Sequence, residues 1–170
     1  MFLNYIKEFF VKKSLNDNLN NEKSEVFTKN VQTVGLLIDE SNFESSEALI
    51  KELALHGIAS ENIKVVAYRE KFKEKETYPR ATFGKKHINW RGEITEGFLT
   101  EFVNSEFDLL LSYYDVDNII LKLITSKSKA KFKVGFSAVD QRLNRLMIST
   151  ELGSYKLFIS ELFRYLEKIK

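Results

Sequence analysis

The sequence predicts an α/β domain built as a three-layer, mostly parallel open sheet with helices on both faces. Three observations predict it. Runs such as Thr33-Val-Gly-Leu-Leu-Ile-Asp39 and Phe107-Asp-Leu-Leu-Leu-Ser-Tyr-Tyr114 lack the alternation of a half-exposed strand and suit strands covered on both sides. These runs alternate with segments of helical periodicity, the order that builds βαβ units. At 170 residues, 44% hydrophobic and 29% charged, the chain is long enough to bury one such core without cross-links.

In chain order, Phe2, Ile6, Phe9 and Phe10, flanked by Leu3 and Tyr5, oppose Lys7, Glu8, Lys12 and Lys13, so an amphipathic helix is expected over residues 1–15. Ser14 to Lys23 is polar and rich in asparagine, which favours turns, so residues 16–30 read as a linker and 31–170 as the single α/β domain. Thr33 to Asp39 is the first and most central strand. Ser41 and Glu44 have capping-box spacing ahead of Phe43, Ile50, Leu53 and Ala54, and Gly57 supplies the stop. Ile63 to Tyr68 completes a βαβ unit. Residues 69–91 hold the sole proline, Pro79, and read as a long loop ending in a short strand from His87 to Trp90.

Thr95 is placed to cap a helix carrying Phe98, Leu99, Phe102 and Val103. The strand ending at Tyr114 follows, then a helix capped within Asp115 to Asn118 and striped by Ile119, Ile120, Leu123 and Ile124. Lys131 to Phe136 and Arg145 to Ser149 are two further strands. Asp140 to Asn144 turns between them, and the last strand is expected to pair antiparallel at an edge. A final helix from about Ser154 sets Tyr155, Ile159, Leu162, Leu166 and Ile169 on one side. The whole is a Rossmann-like arrangement.

The bulk properties narrow the function. No cysteine is present, which removes thiol catalysis, disulfides and Cys-ligated metals. No apolar run reaches the roughly 18 residues of a membrane span, and the amino terminus lacks the order of a signal peptide, so a cytoplasmic protein is expected. A net charge of +2 argues against a dedicated nucleic-acid binder. The charge is nonetheless blocked: Arg69 to Arg91 has eight basic and three acidic residues, Lys122 to Arg145 seven and one, and Glu93 to Asp117 seven acids without Lys or Arg. Such blocks usually mark solvated faces.

In an open α/β sheet, ligands bind outside the carboxyl ends of the strands. Here those ends carry Asp39-Glu40-Ser41, Asp115-Val-Asp117-Asn118 and Ser137. Asp39, Glu40, Asp115 and Asp117 are therefore the candidate catalytic carboxylates, and Glu40, Asp115 and Asp117 the candidate ligands of Mg²⁺, which favours carboxylate oxygens. Glu40 with Asp115-x-Asp117 resembles the metal-binding acids of topoisomerase–primase domains, with Ser41 where that pattern has glycine. The simpler reading, favoured here, is that Ser41, Asp115 and Asp117 cap helices. Glycine-rich phosphate loops are missing, so no nucleotide cofactor is expected.

His56, before Gly57, reads as a structural residue at a helix end. His87, between Lys85-Lys86 and Trp90-Arg91, is the candidate acid–base histidine. Lys85, Lys86, Trp90 and Arg91, with Phe72, Tyr78 and Phe83 nearby, are the candidate nucleic-acid contacts, since aromatics interleaved with cations stack bases and neutralise phosphates.

Phe107 to Tyr114, the helix to Lys129, Ala130-Lys-Phe-Lys-Val-Gly-Phe136 and Asn144-Arg-Leu-Met-Ile148 together resemble a family of small bacterial proteins of unknown function, from the Phe-rich amino terminus to the end. That resemblance implies no activity. The strand–helix–Val-Gly-Phe stretch, on the order of 30 residues, is also similar to part of the N-terminal domain of heptosyltransferase-like glycosyltransferases. Those enzymes use a second domain for the sugar nucleotide, so this resemblance implies a lone half without their transferase activity.

The sequence thus favours a non-catalytic α/β domain acting through protein contacts or self-association by its terminal helices. The alternatives are a Mg²⁺-dependent phosphotransfer or hydrolytic enzyme using the strand-end acids, and weak nucleic-acid binding through the 69–91 loop. The amino-terminal helix has three expected fates: docking on its own domain, pairing with a second copy, or lying on an anionic membrane. Glu8 and its short length argue against the last.

Overall fold

The structure, a computed structural model, describes residues 2–20, 30–73 and 75–169. The expectations for the side chains of Phe2, Leu3 and Ile6 and for linker residues 21–29 lie outside the described residues. Strands β1 (Val34–Asp39), β2 (Ile63–Tyr68), β3 (Thr82–Phe83), β4 (Leu109–Tyr113), β5 (Lys133–Phe136) and β6 (Leu146–Ile148) form one sheet in the order β3-β2-β1-β4-β5-β6. Every neighbouring pair is parallel. This is the doubly wound order, with its reversal point between β1 and β4. As the unbroken apolar runs require, β1, β4 and β5 are buried at every position.

Five α-helices lie among the described residues: α1 (Phe2–Asn20), α2 (Ser46–Leu55), α3 (Gly97–Asn104), α4 (Ile119–Lys127) and α5 (Tyr155–Lys168). α2 packs with α5, α3 packs with α4, and α1 lies on α4. Asn118 starts α4, its side-chain oxygen accepting from the N–H groups of Ile120 (2.9 Å) and Leu121 (3.1 Å). α5 buries Ile159, Leu162 and Leu166 as expected, together with Phe158, while Ile169 stays exposed.

The structure corrects the sequence reading at five places. The edge strand β6 is parallel, because residues 137–145 carry the chain back along the sheet before β6 begins. That stretch, at roughly 3.3 Å per residue, outreaches a four-residue strand of about 13 Å. Buried Val139 and Leu143 anchor it. α2 starts at Ser46 rather than near Ser41, since the Ser41 hydroxyl is taken by the Glu70 N–H at 2.7 Å.

The short strand is Thr82–Phe83. His87 ends a 3₁₀ turn, and Ile88 bridges antiparallel to Ile94. Thr95 caps nothing; its hydroxyl donates to the His87 carbonyl at 3.0 Å, and Glu96 precedes α3.

The fifth correction concerns α1, which runs on through the asparagine-rich stretch to Asn20. Its buried side chains are Val11 and Leu15, with Leu19 packed beside them, whereas Tyr5 and Phe9 are exposed. The helix docks on its own domain. Gly92, at φ +77°, brings a turn so near that a Cβ there would lie 3.2 Å from the Val11 Cα and 3.3 Å from the Phe10 carbonyl. Lys7 donates to the Lys85 carbonyl.

Candidate functional site

The reversal point places the expected crevice outside the ends of β1 and β4. Aromatic rings stand there. Phe43, from the turn after β1, packs 4.7 Å from the Tyr113 ring and 6.3 Å from Tyr155 at the start of α5. Tyr113 also meets Phe136 at 4.9 Å and Phe158 at 5.2 Å, and its hydroxyl donates to the Leu152 carbonyl. These contacts tie the segment after β6 and the first turn of α5 to Tyr113 of β4 and to Phe43. Behind them the Tyr114 hydroxyl is buried against Thr125 Oγ1 at 2.8 Å. Burial pushes both tyrosine hydroxyls well above their ordinary pKa, and the Asp115 carboxylate pushes Tyr113 further.

The strand-end acids are spent on different tasks. Asp39 is buried and holds its own turn, accepting from the Ser41 N–H at 3.0 Å and the Asn42 amide at 2.7 Å. Glu40, its side chain only 6% exposed, lies between two arginines: Arg69 Nη2 at 3.0 Å and Arg80 Nε at 3.2 Å. The Arg80 contact is an ion pair by distance whose angle leaves Nε without a hydrogen bond. Arg80 also pairs with Glu47. Asp115 is half-buried, and Asp117 is exposed and paired with Lys122. Among the described residues no three of His, Cys, Asp or Glu are grouped to hold a metal ion. Within the expected cap of Asp115 to Asn118 it is Asn118 that caps α4, while at α2 Ser45 rather than Ser41 stands at the N-cap, without a side-chain hydrogen bond.

His87 is buried in the adjoining loop. Its Nδ1 accepts from the Gly84 N–H at 3.0 Å, and its Nε2 lies 3.7 Å from Glu96. Three rings of this loop each carry one of its own cations, and Trp90 remains 49% exposed. Lys86 lies over Phe72 at 4.5 Å, Arg69 over Tyr78 at 4.9 Å and Arg91 over Trp90 at 4.8 Å. Trp90 meets Phe10 of α1 edge-on at 5.5 Å, and Lys85 lies 3.7 Å from Glu70. His56 holds its helix end, with Nδ1 2.9 Å from the Glu52 carbonyl and its ring stacked on Phe163 of α5.

Two open grooves lie away from the reversal point. One, of about 900 Å³, runs beside the amino ends of β5 and β6 and the end of α4. The other, of about 390 Å³, follows β6 and the outer side of α5. Sequence reasoning missed two features. Arg69 and Arg80 were read as loop cations, and their place around Glu40 has no local signature. Phe43 was read as part of a helical stripe; the bulky Tyr113-Tyr114 pair at a strand end was the available hint that this crevice is filled.

The sequence matches the model of a family of unknown function (DUF6913) over residues 7–169. The chain belongs to that family. The family carries no activity in its description, in keeping with the resemblance seen in the second half of the sequence. No curated protein and no solved structure matches the chain. No helix among the described residues is long and apolar enough to cross a membrane.

Proposed function

We propose that this domain works through protein contacts on its outer surface rather than by catalysis at the reversal point of the sheet. The observation that carries this reading is the packing of Phe43, Tyr113 and Tyr155 where doubly wound sheets take their ligands. Beside it, Arg69 and Arg80 hold Glu40 in ion pairs that a metal would have to break. Large apolar side chains are instead presented outward by the terminal helices: Tyr5 and Phe9 on α1, Leu157 and Tyr165 on α5. Surfaces of that kind are what protein partners cover.

The test is thermal unfolding with Mg²⁺, Mg-ATP, NADH and UDP-glucose over a wide concentration range. The expected Tm is unchanged by all four. Binding to the native state adds about 2.7 kcal/mol of stability at a hundred times Kd. A Tm that climbs with the concentration of any of these ligands would therefore contradict the reading.

A further inference from the structure

We propose that two copies of this chain join edge to edge through β6 and the outer face of α5, about a two-fold axis, making one twelve-stranded sheet from two of six. The inference rests on the protein-contact reading above and names its partner: a second copy.

β6 ends the sheet, so one of its flanks has no strand neighbour. Leu146, Met147 and Ile148 contain neither a charge nor a proline, the devices that blunt an open edge. Such an edge leaves backbone N–H and C=O groups unpaired, and another strand supplies partners for both. A two-fold axis normal to the sheet reverses the direction of a strand, so β6 meets its own copy antiparallel. Centred on a three-residue strand, this sets Met147 opposite the partner's Met147. With the axis normal to the sheet, both α5 helices lie on the same face, side by side and antiparallel.

The face of α5 suits that arrangement. Leu157, Glu161, Arg164 and Lys168 recur at the four- and three-residue intervals of a helix seam. Leu157 is 52% and Tyr165 37% exposed above the groove beside β6. Run antiparallel against itself, the seam brings Glu161 to the partner's Arg164 and Leu157 to the stem of the partner's Lys168. Glu161 and Arg164 already pair within the helix, so across the axis they make a four-membered charge network of alternating sign. Thr150 Oγ1, in the same groove, is buried with no hydrogen-bond partner in the single chain.

The test uses the full chain in sedimentation velocity and disulfide trapping. The wild type should sediment as a dimer, and Leu157→Lys, which sets a like charge against the partner's Lys168 across the seam, should raise its Kd about tenfold or more. Because the chain has no cysteine, a Met147→Cys variant can form only an intermolecular bond. Opposed antiparallel residues lie within disulfide reach. Mild oxidation should turn Met147→Cys into a covalent dimer and leave Lys51→Cys, exposed on α2, monomeric in denaturing gels.

A wild type that stays monomeric to roughly 100 μM would overturn the proposal by mass action. So would a dimer indifferent to Leu157→Lys in which Met147→Cys couples no faster than Lys51→Cys. Either result bears on this interface alone. The broader reading fails separately, through the thermal series with metal and nucleotides.

Discussion

The carboxyl ends of β1 and β4 and the outer flank of β6 and α5 belong to one sheet and are finished in opposite ways. At the first, Phe43, Tyr113 and Tyr155 pack ring against ring, and Glu40 is enclosed by two arginines. At the second, an apolar strand edge and Leu157 are left to solvent. The difference teaches that strand order alone does not locate function. At the reversal point of this doubly wound sheet stand packed rings, Phe43 from the turn after β1, Tyr113 from β4 and Tyr155 from α5.

The comparison can be broken first at the packed end. Phe43→Ala removes a buried ring from the centre of the plug and is expected to cost about 3–5 kcal/mol in urea unfolding. A cost below about 1 kcal/mol would mean that the rings do not close the crevice. Next in size is Glu40→Ala, which leaves Arg80, itself only 10% exposed, beside Arg69 and held by the exposed Glu47. Breaking a buried pair in this way is expected to cost about 3 kcal/mol, and an unchanged midpoint would show the cluster to be solvated.

A smaller effect is expected at Asp108, which ties the entry of β1 to β4 by accepting from the N–H groups of Gln32 and Thr33 and from Lys131. Burial works to raise its pKa, but these donors outweigh it and leave the group below its ordinary 3.8. A depressed carboxylate stabilises the fold above its unfolded pKa, and that stability is lost as pH falls through the folded value. Asp108→Asn should therefore cost about 1–2 kcal/mol at neutral pH. Its gap from the wild type should narrow steadily below about pH 4 in acid titrations followed by circular dichroism. A gap that stays constant with pH would remove the charge from the account. The smallest stability effect belongs to the open flank: Leu157→Lys should change monomer unfolding by less than about 0.5 kcal/mol while weakening association.

Much of the fold was legible because buried parallel strands announce themselves. Thr33 to Asp39 and Phe107 to Tyr114 are apolar without alternation, and both proved central. Strand direction carries no such mark, since Leu146-Met-Ile148 reads the same paired either way; only the reach of residues 137–145 decides it. The asparagine-rich part of α1 was misread because local propensity is weak there and is overridden by the docking of Val11 and Leu15 on the domain. At the candidate site, the acids at the strand ends were found from sequence, but what holds them was not. Arg69 and Arg80 reach Glu40 from far along the chain, and no spacing rule connects them.

The most direct test of the contrast between the two regions is a dilution series of amide ¹H–¹⁵N correlation spectra on the full chain. Shifts that change with protein concentration should fall in residues 145–150 and 154–168 and spare 39–43 and 113–118. Concentration-dependent shifts confined to 39–43 and 113–118, with the β6 and α5 amides unmoved, would contradict it.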